Sequence, residues 1–559
     1  MEILGYITLF IFLATMILTL LRKINLPVQT VLVIVALICL AAGAIYRAAI
    51  GEWSGVRSLP VEMMGGIILH PITALIAGLF IAGALSASGG FEAFKVIILK
   101  LKNSPIGLAG TMVILTQVPM LASLPCGRII AAALLPLLFA FGSDGGMGIL
   151  NRAQLIVLIG AFARNAFGSC GPSPIGGVAQ IGEGFLGSWY PTASEGILRA
   201  PQIIALMLGT GVTAVFLKFV SMKLYPDDVS LRDRTSNQEM KKPNAKPTGY
   251  VALVIFVLSL IVAIFQPFGK IPVQTVLVVA ALLIILIARA KLDDLLAGVI
   301  LLPISAMIAG FMAAGALAAT GGFDALAKLL KGLSDIPLLG AAGMLAVFIQ
   351  IQTMIPLSCS RILTAALVPV LYMFGPGGYG MLTWTQLAVV MAAYIINATT
   401  SCGPSPLGGG GMMGEGQMRA ETGYIKGAYS FSAMATMAPL AAISMKFYNL
   451  SKFAGGAGET VKANVLSLAG FLTLIVIANL VMVVGLSKSL KGNEISDHRR
   501  QIVVFLIGGA LSGLALAVSV YEWHLTAGLQ GMLGGSLAAL WIAIMIPRRL
   551  KLQSVGSAA

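Results

Sequence analysis

The sequence predicts an all-α polytopic membrane protein. Two inverted repeats, each with a re-entrant hairpin and an unwound helix, are expected to precede three extra C-terminal transmembrane helices. The first observation behind this prediction is composition: of 559 residues, 58% are apolar and only 10% are charged. Soluble proteins carry roughly 25% charged residues, so these few charges could not cover a soluble surface. The second observation is an internal duplication.

Short motifs of the first half recur in the second half in the same order. The matched segments are residues 27–33 with 272–278, 78–90 with 310–322, 126–128 with 359–361, and 169–174 with 401–406. The first pair is identical letter for letter, and the second pair is offset by 232 residues. Chance does not produce such ordered matches, so a unit of about 200 residues is duplicated.

The duplication and the charge pattern divide the chain into segments. Residues 1–226 form the first repeat and residues 249–450 the second. Between them, residues 227–248 are rich in charge and proline, which predicts a cytoplasmic linker. Residues 451–559 form a C-terminal extension with three apolar runs that have no counterpart in the repeats.

One apolar segment in each repeat is interrupted near its centre by Pro, Cys and Arg residues. These segments cover about residues 106–142 and 338–375. An arginine facing lipid at mid-depth is costly, so we expect a re-entrant hairpin with its tip buried in protein. Each repeat then crosses the membrane an odd number of times, which inverts the second repeat. The alternative is two full spans per segment, which would make the repeats parallel.

The net charge of +15 is explained by loops that face the cytoplasm. With the N-terminus outside, most clusters of Lys and Arg fall on the cytoplasmic side, as the positive-inside rule requires. We therefore expect a multi-pass plasma-membrane (cell inner membrane) protein with its C-terminus in the cytoplasm. No nucleic-acid partner is needed to explain the basic balance.

Each repeat is expected to be broken at membrane depth at its hairpin tip and at a Ser-Cys-Gly-Pro-Ser-Pro segment. Proline interrupts the helix ladder, and unwinding exposes carbonyls that bind cations and helix N-termini that attract anions. A tight helix crossing built from small residues is the alternative. The predicted substrate-binding residues are Ser123, Cys126, Gly127, Arg128, Asn165, Ser169, Cys170, Gly171, Ser173, Ser358, Cys359, Ser360, Arg361, Asn397, Thr399, Thr400, Ser401, Cys402, Gly403 and Ser405.

Within this set, Arg128 and Arg361 are the strongest candidates for neutralising an anion. The planar guanidinium binds carboxylates through two hydrogen bonds; a structural salt bridge or a shallow, snorkelling arginine is the alternative. Asn165 and Asn397 occupy matched positions and either contact substrate or join neighbouring helices. Arg164 has no basic counterpart in the second half, so we expect it to lie away from the substrate.

These motifs resemble those of the divalent anion:sodium symporters and the wider ion-transporter superfamily. The spacings from Cys126 to Pro136 and from Cys359 to Pro369 match that family's hairpin tip and the proline after it. Residues 168–177 and 400–409 occupy the place of its unwound helices. The resemblance covers about residues 1–450 in layout. It implies an elevator-type transporter fold, usually dimeric, that moves dicarboxylates, tricarboxylates or sulfate, often with sodium.

The hairpin tips depart from the family pattern. The family's Ser-Asn-Thr is replaced by Cys-Gly-Arg at 126–128 and by Cys-Ser-Arg at 359–361. A guanidinium beside a sodium ion is unfavourable, by about 4 kcal/mol at 4 Å and an effective dielectric constant of about 20. Our hypothesis is that Arg128 and Arg361 replace two sodium charges. We expect no resident cofactor or metal, with sodium ions or protons as the coupling ion.

The sequence therefore predicts a secondary active transporter of small anions, expected as a homodimer and not as an enzyme. Paired acids, a histidine cluster and a nucleotide-binding loop are all missing from the sequence. One rival is a cation/proton antiporter that uses Glu183 and Glu415, although solvated loop acids were the simpler interpretation of these residues. Another rival is a thiophilic metal or arsenite carrier. Its ligands would be Cys126, Cys170, Cys359 and Cys402.

Overall fold

The structure, a computed structural model, consists mainly of α-helices. It describes residues 2–20, 23–24, 26–65, 69–101, 104–121, 138, 141–142, 150–168, 170–171, 177–189, 196–224, 245–265, 271–291, 293, 301–352, 360–400, 436–446, 465–488, 490–491, 494–495 and 498–556. The helices of the first half are α1 (Glu2–Leu20), α2 (Val28–Ala49), α3 (Trp53–Gly65), α4 (Leu69–Ser88), α5 (Gly90–Leu101), α6 (Gly107–Leu121), α7 (Arg152–Gly168), α8 (Val178–Trp189) and α9 (Arg199–Leu224).

The second half and the C-terminal extension continue the helical pattern. Their helices are α10 (Pro247–Phe265), α11 (Val273–Ala288), α12 (Leu301–Ala319), α13 (Gly322–Ser334), α14 (Gly340–Ile351), α15 (Ser360–Tyr372), α16 (Trp384–Thr400), α17 (Val465–Lys488), α18 (His498–Tyr521) and α19 (Leu525–Gly556). A further helical segment covers residues 436–446. One exception to the all-α prediction is a short antiparallel pair, β1 (Leu490–Lys491) and β2 (Glu494–Ile495).

Several helices are suited to a membrane. Among the described residues, four are long and apolar enough to cross a bilayer, and a bent pair would make a fifth. The bent pair is α12 and α13, which meet at 76° around Gly321. Large apolar side chains such as Ile3, Phe10 and Leu286 are more than 70% exposed, which suits contact with lipid. The chain is thus an all-α protein with candidate membrane spans, whereas an odd number of crossings in each repeat, followed by three more in the extension, stays a prediction.

Helices at corresponding positions of the sequence repeat make corresponding contacts. In each case a helix of one half packs against a helix of the other half. Helix α2 packs against α12, and α11, which matches α2 in sequence, packs against α4, which matches α12. In the same way α1 packs against α13, and α10 packs against α5. This exchange is the contact pattern expected of two copies related by an approximate two-fold axis.

Matched glycines mark the closest of these contacts. A Cβ atom on Gly5 would lie 2.4 Å from the carbonyl oxygen of Gly321, and one on Gly249 would lie 2.4 Å from that of Gly89. The two accepting glycines have φ angles of 75° and 79°, which strongly favour glycine. Gly5 and Gly249 both precede a tyrosine in the sequence. The start of each first helix therefore rests on the Gly-Gly break of the opposite half.

A buried cation holds one end of this arrangement together. Arg47, at the end of α2, donates to the carbonyl oxygens of Gly55 at 2.7 Å and of Ala319 at 3.1 Å. It also donates to both carboxylate oxygens of Glu62, at 3.0 and 2.9 Å. The hydrogen bond from Arg47 lowers the pKa of Glu62, which lies on α3, outside the candidate spans. Arg47 therefore joins α2, α3 and the end of α12.

Helix α16 lies at the centre of the fold. None of its residues from 387 to 399 is more than 2% exposed. A helix that is apolar on all sides is stable only when other elements surround it, and α16 contacts α7, α8, α14, α15 and α18. Asn397 and Thr399 are consequently held inside the protein, near the end of this central helix.

The C-terminal extension packs on the second half. Helix α19 lies against both α18 and α14. Its contact with α14 is close, because a Cβ atom on Gly534 would lie 2.1 Å from the carbonyl oxygen of Gly343. On α18, Ser512 accepts a hydrogen bond of 2.6 Å from the buried Gln350 side chain of α14. The extension thus holds the first arm of the second predicted hairpin.

Helix α6 of the first half corresponds to α14 of the second half. Among the described helices, it lacks packing of the kind that the C-terminal extension gives α14. Helices α6 and α14 each begin at a glycine with positive φ, Gly107 at 66° and Gly340 at 56°. When the two helices are aligned on these glycines, Val113 matches Ala346. Val113 is 61% exposed, whereas Ala346 is 1% exposed. Among the described residues, the extension thus covers α14 at Ala346, whereas α6 is exposed at Val113.

Candidate functional site

Many of the predicted site residues lie outside the part of the chain that the structure describes. These residues are Ser123, Cys126, Gly127, Arg128, Ser169, Ser173, Ser358, Cys359, Ser401, Cys402, Gly403 and Ser405. Arg361 and Thr400 lie on α15 and α16, but the structure describes only their backbone. The site can be built from Asn165, Cys170, Gly171, Ser360, Asn397 and Thr399.

The first Ser-Cys-Gly-Pro segment follows the end of α7 at Gly168. The chain turns there, with the amide of Gly171 donating to the carbonyl oxygen of Gly168 at 2.8 Å. The next helix then folds back, because the amides of Val178 and Ala179 donate to the carbonyl oxygens of Cys170 and Gly171, each at 2.9 Å. These two carbonyls are therefore bonded to α8, and they are not the free cation ligands that unwinding alone suggests.

The two matched asparagines make matched contacts. Asn165 donates from Nδ2 to Oε1 of Gln117 on α6 at 2.9 Å. Asn397 donates from Nδ2 to the carbonyl oxygen of Ile349 on α14 at 3.1 Å. Both asparagines are fully buried, and within the described residues Oδ1 of each has no hydrogen-bond partner. Each asparagine thus joins its helix to the first hairpin arm and keeps one acceptor atom for another group.

The first unwound segment meets the second half at Gly171. A Cβ atom on Gly171 would lie 3.1 Å from Cγ2 of Thr399 on α16 and 2.4 Å from Oε1 of Gln202 on α9. The hydroxyl of Thr399 donates to the carbonyl oxygen of Ile396 at 2.6 Å, so its proton is used within α16. The predicted residues Gly171 and Thr399 are thus adjacent, and Gln202, which sequence reasoning missed, lies beside them.

Two further predicted residues are the first described residues of α15. Ser360 begins this helix and is 1% exposed, and Arg361 follows it. Residues 353–359, just before Ser360, lie outside the described part of the chain, so a positive field at Arg361 stays a prediction.

Arg164 is more deeply buried than its expected role suggests. Its side chain is fully buried on α7, next to Asn165, and its guanidinium contacts the sulfur of Met437 in the helical segment 436–446. A permanent charge in the protein interior is costly unless it is compensated. Arg164 thus places a buried guanidinium one residue before Asn165.

Glu183 corrects one sequence-based interpretation. It is not a solvated loop acid, because it lies on α8 and is only 8% exposed. Its carboxylate accepts hydrogen bonds from the amide of Leu198 and from Nε of Arg199, both at 3.0 Å, and it forms an ion pair with Arg199 at 2.9 Å. The Gly-rich flanks suggested a loop, whereas the ion pair with Arg199 fixes Glu183 against the start of α9.

A separate cleft of about 380 Å³ lies between α4 and α11. Its walls are mainly apolar, and Thr73 and Gln274 are among its lining residues. Thr275 and Val279 at its edge are exposed, so the cleft opens toward the outer surface of the bundle. It is distinct from the contact between Gly171 and Thr399.

The described residues contain no group of three or more His, Cys, Asp or Glu side chains placed to hold a metal ion. Three of the four cysteines that the thiophilic-carrier hypothesis needs lie outside those residues, and the fourth, Cys170, is buried. A scan against protein-family models and a search of curated proteins give no match to this chain.

Proposed function

We propose that this protein is a secondary active transporter of small anions, such as dicarboxylates or tricarboxylates, that works by alternating access. The observation that carries the proposal is the contact between Gly171 and Thr399. It brings together the broken helix of one copy and the matching helix of the other, at fully buried positions. Secondary transporters bind substrate at such interfaces between repeats, near the middle of the membrane.

The packing also supports opposite orientations of the two copies. Helix α3 lies against α12, with the carbonyl oxygen of Met63 at 2.1 Å from a Cβ atom built on Gly315. Helix α4, of 20 residues, spans about 30 Å from Leu69 to Gly89 at about 1.5 Å per residue. Gly5 lies against Gly321 after the end of α12, and Gly249 lies against Gly89 after the end of α4, which suits copies that start on opposite faces of the membrane.

In this proposal the substrate lies between the two hairpin tips and the two unwound segments. Arg128 and Arg361 supply the positive charge, since guanidinium groups bind carboxylates through two hydrogen bonds. Oδ1 of Asn165 and of Asn397, which makes no hydrogen bond within the described residues, accepts from a hydroxyl group of an anion such as citrate. Helices α1–α5 and α10–α13, which pack on one another across the two halves, form the scaffold. The part of the protein that holds the substrate moves past this scaffold as an elevator, in a homodimer.

The antiporter alternative is less well supported. It requires an acidic group that gains and loses protons, and Glu183 instead forms an ion pair with Arg199 at 2.9 Å. Protonation of Glu183 would break that pair and leave the half-buried guanidinium of Arg199 without its partner. Glu183 is therefore better suited to fixing α8 than to carrying protons.

Uptake by reconstituted protein tests the proposal. Proteoliposomes preloaded with unlabelled succinate, citrate or sulfate should take up the same labelled anion by exchange, with and without a sodium gradient. The Arg361→Gln variant is the matched control and should show background uptake. If no anion is taken up by the wild-type protein, the proposed transport is wrong. If uptake depends strictly on sodium, the idea that arginines replace sodium charges is wrong.

A further inference from the structure

One buried carboxamide near the site makes no hydrogen bond within the described part of the chain. Gln202 lies in the first turn of α9 and is fully buried. Within the described part of the chain, neither its Oε1 nor its Nε2 has a hydrogen-bond partner. Buried polar groups are nearly always hydrogen-bonded because an unmade bond lowers stability. The presence of a buried glutamine with two unpaired polar atoms is therefore not explained by the stability of the fold.

The position of Gln202 connects it to the candidate site. A Cβ atom on Gly171 would lie 2.4 Å from Oε1 of Gln202. Residue 171 must be glycine for the carboxamide to lie there, because any larger side chain would displace it. Thr399 borders the same point from the opposite half, since its Cγ2 is 3.1 Å from that Cβ position. The carboxamide thus lies where the broken helix meets α16.

Two other carboxamides near this contact have unused acceptors. Asn165 precedes the break by less than two helical turns, and Asn397 is on α16 just before Thr399. The carbonyl oxygen of Ile349 can only accept, so Asn397 must turn its Nδ2 toward it and its Oδ1 away. Oδ1 of Asn165 and of Asn397 has no partner among the described residues. The set supplies several acceptors and, from Gln202, one donor group.

We propose that Gln202 is a substrate-binding residue, an inference that rests on the proposed anion transport. Its Nε2–H group donates to a carboxylate oxygen of the bound anion, while its Oε1 and the asparagine Oδ1 atoms accept from the hydroxyl group of a hydroxy acid such as malate or citrate. Neutral carboxamides orient the anion, and the guanidinium groups provide its charge compensation. Fixed polar groups of this kind give a mostly apolar pocket its specificity.

Thermal unfolding of the purified protein, with and without succinate, malate, citrate or sulfate, tests this role. Replacement of Gln202 by leucine removes two unsatisfied buried atoms, so Gln202→Leu should raise the melting temperature of the ligand-free protein. The same variant should bind the anion that stabilises the wild type at least tenfold more weakly. A purely structural glutamine predicts the opposite pair of results: a lower melting temperature and unchanged anion affinity.

Two further variants make the test specific. Thr210→Val is the matched control, because the Thr210 hydroxyl is also buried on α9 and has no partner within the described segments. It lies two turns from Gln202 and should leave anion affinity unchanged. Gln202→Glu keeps the shape of the side chain but adds a negative charge, so it should also weaken anion binding at least tenfold.

The outcomes separate the two proposals. If the wild-type protein is stabilised by none of the anions, the proposed transport function fails. If the wild type binds an anion and Gln202→Leu binds it equally well, the transport proposal survives and the role of Gln202 is refuted.

Discussion

Replacement of Gly5 or Gly249 by alanine should destabilise the protein, whereas Gly211→Ala should not. Ordinary contact begins near 3.4 Å, and a methyl group on either Gly5 or Gly249 would lie 2.4 Å from a backbone carbonyl oxygen. The helices must therefore separate by about 1 Å, and overpacking of this kind costs about 1–3 kcal/mol. A Cβ atom on Gly211 meets nothing within 4 Å, so that alanine should stabilise α9 by up to about 1 kcal/mol.

The assay is the free energy of unfolding of each variant in detergent, compared with the wild type. Because the two contacts are geometrically equivalent, the losses for Gly5→Ala and Gly249→Ala should agree. Their double variant should lose the sum within about 0.5 kcal/mol, since distant sites are additive. If both substitutions stabilise the protein as Gly211→Ala does, the close contacts are absent. If only one destabilises it, the exchanged packing of the two halves is refuted.

Three other predictions concern charge and polar contacts. The hydrogen bond from Arg47 lowers the pKa of Glu62 from its ordinary value, so their pair stabilises the fold above the pKa of the unfolded state and loses its effect as the pH falls through the lower, folded-state pKa. The melting temperature of Glu62→Gln should consequently fall less than that of the wild type on acidification to about pH 3, and an equal fall would contradict the pairing. Ser512→Ala should lower the unfolding free energy by about 1–3 kcal/mol, because a buried amide loses its acceptor; an unchanged denaturation midpoint would show that the extension does not hold α14 through this bond. Arg128→Gln and Arg361→Gln should each abolish anion binding measured by calorimetry, while the circular dichroism spectrum stays unchanged. Wild-type anion affinity in both variants would show that neither arginine binds the anion.

The all-α character and the candidate membrane spans were accessible from the apolar composition, and the matching motifs indicated which segments correspond in the two halves. The repeated motifs identified helices at equivalent positions in the two halves. The structure shows which of these helices are in contact. The sharp bend at Gly321 was not predicted, because the apolar run continues through it and only the backbone angle of a glycine reveals a turn. The packing of the C-terminal extension on α14 depends on close approach of glycines that are distant in sequence, such as Gly343 and Gly534.

The candidate site stays a prediction, and the structure adds the surroundings of some of its residues. The symmetry of Asn165 and Asn397 singled them out, and both are fully buried beside a hairpin arm. Glu183 was misinterpreted because its ion pair with Arg199 is invisible to local patterns. Gln202 gave no signal at all, since a single polar residue in an apolar helix is common on a protein surface. Its burial against Gly171 is a property of the three-dimensional structure alone.

The most direct test of the account is the side of the membrane on which the two copies begin. Glu2 starts α1, and Lys246 precedes the matching helix α10. In a background with the native cysteines replaced by serine, each would be changed to cysteine and exposed to a membrane-impermeant maleimide in intact cells. The account predicts that Glu2→Cys is labelled from outside and that Lys246→Cys is labelled only after permeabilisation. Labelling of both from the same side would contradict the inverted arrangement on which the shared anion site depends.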